Sequence, residues 1–106
     1  MLTADKWTRL GLLSNDLVRE IGCVLCETPG RGMTLVDLVR RESLKKLASS
    51  TRIRNTANDM REAELLDRTG DRKSGYSYKL KTLQIPQLTW HEVYEMHRGK
   101  KLHSIE

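Results

Sequence analysis

Phenylalanine is absent from this chain, and only two Trp and three Tyr stand among its 106 residues. A core so poor in aromatics has to rest on Leu, Ile, Val and Met, and the length gives room for one such core. No apolar run approaches the ~20 residues that a helical membrane span requires. The first residues also lack the apolar stretch of a cleavable signal, so the expected location is cytoplasmic, with no membrane partner. Cysteine is scarce as well. Cys23 and Cys26 form a CVLC pair whose letters suit half of a metal site, but a zinc site needs two more well-spaced ligands. His91, His97 and His103 lie far along the chain at irregular spacing. Both cysteines fall on or beside the apolar stripe of an expected helix, which reads as small buried hydrophobes in a reducing compartment. A disulfide inside one helical turn would strain the backbone, so neither a metal nor a disulfide is expected. The chain contains no nucleophile elbow, no glycine-rich phosphate loop and no histidine and carboxylate set at ligand spacing. Asp59 and Glu62, one turn apart, read as surface carboxylates, and the expectation is neither an enzyme nor a cofactor.

What the chain does have is a concentrated positive charge. The formal net charge is +5, and residues 40–61 hold seven basic residues against two acidic ones, which accounts for the whole excess. The remaining residues carry twelve charges of each sign and cancel. A solvated charged face is the ordinary explanation of a basic run. The alternative is a surface on which a polyanion docks, and the residues interleaved with the charges favour it.

Taken in order, TADKWTRL near the start is expected to form a short helix, with Thr3 as its cap, Trp7 and Leu10 on one face, and Gly11 at its end. Ser14 is expected to cap a first core helix running to about Thr28, along the stripe Leu17, Val18, Ile21, Val24 and Leu25. The PGRG stretch breaks it, and Met33 suits a short strand. Thr34 then caps a second helix marked by Leu35, Leu38, Val39 and Glu42, with Asp37 near its positive end. Arg40, Arg41, Lys45 and Lys46 emerge from the end of that helix or from the loop after it. Past residue 81, TLQIPQL is a connector, since Pro86 rules out a continuing central strand. Thr89 and Glu92 form a capping box for a last helix, which carries Trp90, Val93, Tyr94 and His97 on one stripe and is expected to stop at Gly99.

The segment between these parts, SSTRIRNTANDMREAELLDRTGDRKSGYSYKLK, predicts a helix followed at once by a hairpin. Ile53, Ala57 and Met60 recur at helical spacing. Thr51, Asn55, Asn58 and Asp59 fall on the opposite face, with Arg52 on one flank and Arg54 and Arg61 on the other. Asn matches the hydrogen-bonding edge of adenine in a DNA major groove, and Arg matches guanine or phosphate. From Leu66 onward the pattern alternates: Tyr76, Tyr78 and Leu80 share one face, and Ser77, Lys79 and Lys81 share the other. Gly70 and Gly75 bracket a turn with Arg72, Lys73 and Ser74 at its tip.

Over residues 14–81 this order resembles the winged helix-turn-helix proteins, and TRIRNTANDMREAELL is similar to their recognition helix running into the first wing strand. The resemblance implies a mainly α domain with a small β-hairpin (α+β): three core helices, a wing and a C-terminal helix over residues 89–98. Many members carry Gly where this chain has Glu64, at a turn that calls for left-handed backbone. The interval from Leu38 to Ile53 also exceeds the usual spacing by about one helical turn, implying a longer second helix or an expanded loop. The implied function is sequence-specific binding of double-stranded DNA by a small transcriptional regulator. Thr51, Arg52, Asn55 and Asn58 would face base edges, Arg54 and Arg61 base or phosphate, and Arg72, Lys73 and Ser74 the backbone or minor groove. Arg40, Arg41, Lys45 and Lys46 would flank phosphates. The last helix, through Trp90, Val93, Tyr94 and His97, would join two chains into a homodimer. The competing function is a winged-helix adaptor that turns the same basic face toward an acidic protein of the replication or transcription machinery.

Overall fold

The computed structural model describes Gly11 and residues 14–28, 31–82 and 89–105, with side chains of the last stretch as far as His97. The expected first helix apart from Gly11, the PG pair at 29–30 and the connector at 83–88 lie outside the described residues. Within them the chain is a mixed α+β fold of five helices and one three-stranded antiparallel sheet. None of these helices is long and apolar enough to cross a membrane.

Helix α1 spans Asp16–Cys26 and begins at Asn15, whose side chain accepts from the Leu17 amide. The cap therefore falls one residue later than Ser14, whose hydroxyl instead donates to the Gly11 carbonyl at 2.7 Å. Leu17, Val18, Ile21, Val24 and Leu25 are buried, as their spacing requires. Strand β1, Met33–Thr34, is followed immediately by α2, Leu35–Arg40, capped by Thr34 through the Asp37 amide. The second helix stops there and does not reach Glu42. Arg41 adopts extended backbone, and a separate single-turn helix α3, Glu42–Lys45, takes up the additional length before the next element. Its Leu44 is fully buried, which ties this inserted turn to the core.

Helix α4, Ser50–Glu62, starts at Ser49 and buries Ile53, Ala57 and Met60. Its end is set by hydrogen bonding. The Glu64 amide donates to the Arg61 carbonyl and the Leu65 amide to the Met60 carbonyl, while Glu64 itself takes φ 63°. These two hydrogen bonds across a left-handed residue satisfy two of the orphan carbonyls of the helix, and Leu65 joins Met60 in the buried core. The chain is thereby turned into β2, Leu66–Asp71, which pairs with β3, Gly75–Leu80. Strand β1 joins the other edge of β3, Met33 facing Tyr78, so the strand order is β1-β3-β2.

Helix α5, Trp90–Ile105, starts after Thr89, which accepts from the Glu92 amide as the capping pattern requires. It passes through Gly99 without interruption, so the expected stop there is wrong. A single glycine weakens a helix by about 1 kcal/mol and does not by itself end one. The stripe on this helix packs against α1 of the same chain. Trp90 and Val93 are 7% and 6% exposed, the Trp90 indole donates to the Lys81 carbonyl at 3.0 Å, and its ring lies over Gly22. Farther along, His97 Nε2 stands 3.0 Å from Glu20 Oε1, and that carboxylate is fully buried in α1. Trp90 and Val93 are thus turned inward against α1 within one chain, and Tyr94 and His97 are half-buried beside them. Cys23 is buried, Cys26 is half-buried with its thiol 3.8 Å from the Trp90 carbonyl, and the two are not joined by a disulfide.

Candidate nucleic-acid interface

The basic surface is organised by α4. Because its core residues occupy one side, Thr51, Asn55, Asn58 and Glu62 follow at helical intervals on the other. Thr51, Asn55 and Glu62 are exposed, and Asn58 is half-buried. The two flanks differ. Arg52 leans toward the start of α1 and lines a groove of about 430 Å³ with Asn15, Asp16 and Leu47. Asp59 is exposed on that side. Arg54 and Arg61 stand on the flank that meets the hairpin.

That meeting changes the role expected of Asn58. Its Oδ1 accepts from Arg61 Nε at 3.4 Å and from Arg68 Nη1, on β2, at 3.3 Å. A base-reading amide needs both its donor and its acceptor free. Asn58 therefore holds two arginines at the edge of the surface and is not an outward-facing reader. Asn55, with neither end engaged by a hydrogen bond among the described residues, keeps that capacity.

The hairpin tip is stiffened by Asp71. Its carboxylate accepts from the Ser74 amide at 2.7 Å, the Ser74 hydroxyl at 2.9 Å and the Lys73 amide at 2.9 Å. The Ser74 backbone contributes most, then its hydroxyl, and together they hold this exposed carboxyl below the usual carboxylate range. The tie is complete above that range and is lost as the pH falls through the lowered value. Gly70 and Gly75 both take positive φ, at 96° and 89°, and a side chain at Gly70 would collide with the Gly75 carbonyl. Arg72, Lys73 and Ser74 are exposed at the tip, although the Ser74 hydroxyl is committed to Asp71.

Of the four residues expected to flank phosphates, Arg40, Lys45 and Lys46 are exposed. Arg41 forms an ion pair with Glu27 at the end of α1, so its charge is met inside the chain and it does not act as a free phosphate contact. One cation was missed in the sequence. Arg68 sits between Leu66 and Gly70 on the inner face of the hairpin, with its guanidinium carbon 4.2 Å from the centroid of the Tyr76 ring. The alternation that places Leu66 inward also places Arg68 inward, which was the available signal. Among the described residues no cluster of His, Cys, Asp and Glu has metal-site geometry. Comparison with protein-family models, with curated proteins and with solved structures gave no match.

Proposed function

We propose that this chain binds double-stranded DNA sequence-specifically as a winged helix-turn-helix protein, in the manner of a small transcriptional regulator. Helix α4 enters the major groove and the β2–β3 wing lies on the adjacent backbone. The observation that carries this reading is the outward side of α4, where Thr51 and Asn55 stand exposed between arginines on both flanks. Such a side offers hydrogen-bonding groups to base edges and cations to phosphates. The element order supports it too: helix, strand, helix, helix and hairpin, with β1 completing the sheet at β3. Among the described residues the large exposed apolar side chains, Val36, Leu47 and Met96, lie on three separate stretches, and none is on α4. An acidic-protein adaptor would centre its contact on apolar and aromatic anchors, which this face lacks.

In this reading Asn55 reads sequence, Arg54 and Arg52 reach base or phosphate from the two flanks, and Arg40, Lys45, Lys46, Arg72 and Lys73 hold the backbone. The test is titration of mixed and selected duplexes at two salt concentrations. Affinity is expected to fall steeply with salt, as counterions are released from each neutralised phosphate. Asn55→Ala should narrow the gap between preferred and random sites while leaving random-site affinity nearly intact, and Lys73→Ala should weaken all sites alike. Absence of binding at low salt removes the proposal, and identical behaviour of the two variants removes the division into readers and anchors.

A further inference from the structure

Arg68 is the basic residue that the hairpin turns inward, and its surroundings explain how it is held. In the β2–β3 register it faces Tyr78, while Gly70 faces Tyr76. With no side chain opposite it, the Tyr76 ring has room for a guanidinium to lie over its face. Stacking fixes the plane of that group, and Asn58 Oδ1 fixes its direction from the other side. Arg61 reaches the same oxygen from α4. Two cations from two different elements thus converge on one neutral acceptor.

The neutrality of that acceptor matters. Clustered arginines inside a protein are ordinarily balanced by carboxylates. Here the carboxylate within ion-pair distance of either group is that of Glu62, 4.0 Å from Arg61 and largely exposed, and Arg68 has none among the described residues. Both contacts to Asn58 are long for N–H···O bonds. They orient the guanidinium groups without using up their donors. Two donors on one side also identify the oxygen end of the amide, which leaves Asn58 Nδ2 pointing away from them as one more donor.

We infer that Arg61, Asn58 and Arg68 form a seat for a single phosphate of the DNA backbone at the corner between α4 and the wing, with Asn58 as its positioning residue. The inference rests on the DNA-binding reading above and adds a contact to it. A planar guanidinium can give two parallel hydrogen bonds to a phosphate, and two of them around one anion fix the angle between helix and wing as the protein docks.

Fluorescence anisotropy on a random duplex across a salt series tests it, comparing the wild type with Arg68→Gln, Asn58→Asp and Thr69→Asp. Arg68→Gln should weaken binding to every duplex by about tenfold, as expected for loss of one charged hydrogen-bonding contact. It should also make the dependence of log K on log salt shallower by about 0.9, the value of one phosphate. Asn58→Asp keeps the shape of the acceptor and gives the arginines an internal counterion. Its melting temperature should equal or exceed that of the wild type while its binding falls further than that of Thr69→Asp, which adds the same charge on β2 beside Arg68 but on the outer face of that strand. The seat is overturned if the wild type binds and Arg68→Gln keeps the wild-type salt slope, or if Asn58→Asp binds no worse than Thr69→Asp. Should Arg68→Gln unfold the hairpin, the comparison of the two Asp variants decides alone. A wild type that ignores DNA at low salt defeats the DNA-binding reading itself, a different result from either of these.

Discussion

Glu64 holds a left-handed backbone that costs an L-residue about 1–2 kcal/mol, because its Cβ crowds the neighbouring carbonyl. The conformation is kept because the Glu64 and Leu65 amides both close onto the end of α4 and Leu65 is carried into the core. Removing the side chain in two ways isolates the backbone contribution. Glu64→Gly and Glu64→Ala both lose whatever the carboxylate touches, but only glycine is at ease at this φ. Urea unfolding should find the Gly variant more stable than the Ala variant by about 1 kcal/mol, the reverse of their order inside a helix. An Ala variant equal to or above the Gly variant would mean that the turn relaxes elsewhere. The demand for left-handed backbone at this position was legible from the resemblance, whereas the altered role of Asn58 was not. Helical periodicity places Asn58 on the outer side of α4, and it contains no information on how far the hairpin folds back over that edge. Only the pairing of Arg68 with Tyr78 brings a second cation within reach of it.

At the scale of elements, the docking of α5 on α1 is decided by Gly22. A Cβ at that position would stand 2.2 Å from a carbon of the Trp90 ring, and the ring is too well buried to swing away freely. Gly→Ala within a helix normally adds about 1 kcal/mol of stability. Here Gly22→Ala should instead cost about 1 kcal/mol net, since overpacking a filled site costs about 2 kcal/mol and the helix gain of about 1 kcal/mol offsets only part of it. Trp90→Ala alone should cost about 3–5 kcal/mol. In that second background the obstacle is gone, and Gly22→Ala should become stabilising. Four denaturation curves close the cycle, and a Gly22→Ala effect of the same sign in both backgrounds would show that the two residues do not meet. The stripe Trp90, Val93, Tyr94 and His97 was legible because amphipathic spacing reports which side of a helix is covered. What covers it was not, since a cis partner and a second copy demand the same pattern. The single-turn helix Glu42–Lys45 was hidden for a similar reason: four residues carry too little periodicity to be separated from the end of α2.

For the molecule as a whole, the inward stripe of α5 also bears on how many copies act together. A homodimer was expected because a Trp and a Tyr on one terminal helix looked too apolar to face water. In the fold Trp90 and Val93 face α1, the Trp90 indole N–H is satisfied by Lys81, and His97 meets the buried Glu20. The apolar surface that argued for a second copy has been removed within one chain. On the described outward side of α5, Met96 is the large apolar residue left exposed, and one such side chain is ordinary for a surface. The chain should therefore scatter light as a single copy of 12.2 kDa at micromolar concentration. Trp90→Asp places a charge where α5 meets α1, so it should lower the unfolding midpoint without changing the mass of whatever remains folded. A particle of twice that mass, reduced to one by Trp90→Asp with the fold intact, would return the stripe to the role of a dimer contact. A monomer that nevertheless binds duplex DNA would occupy one half-site per chain, and palindromic order in selected sequences would then be absent.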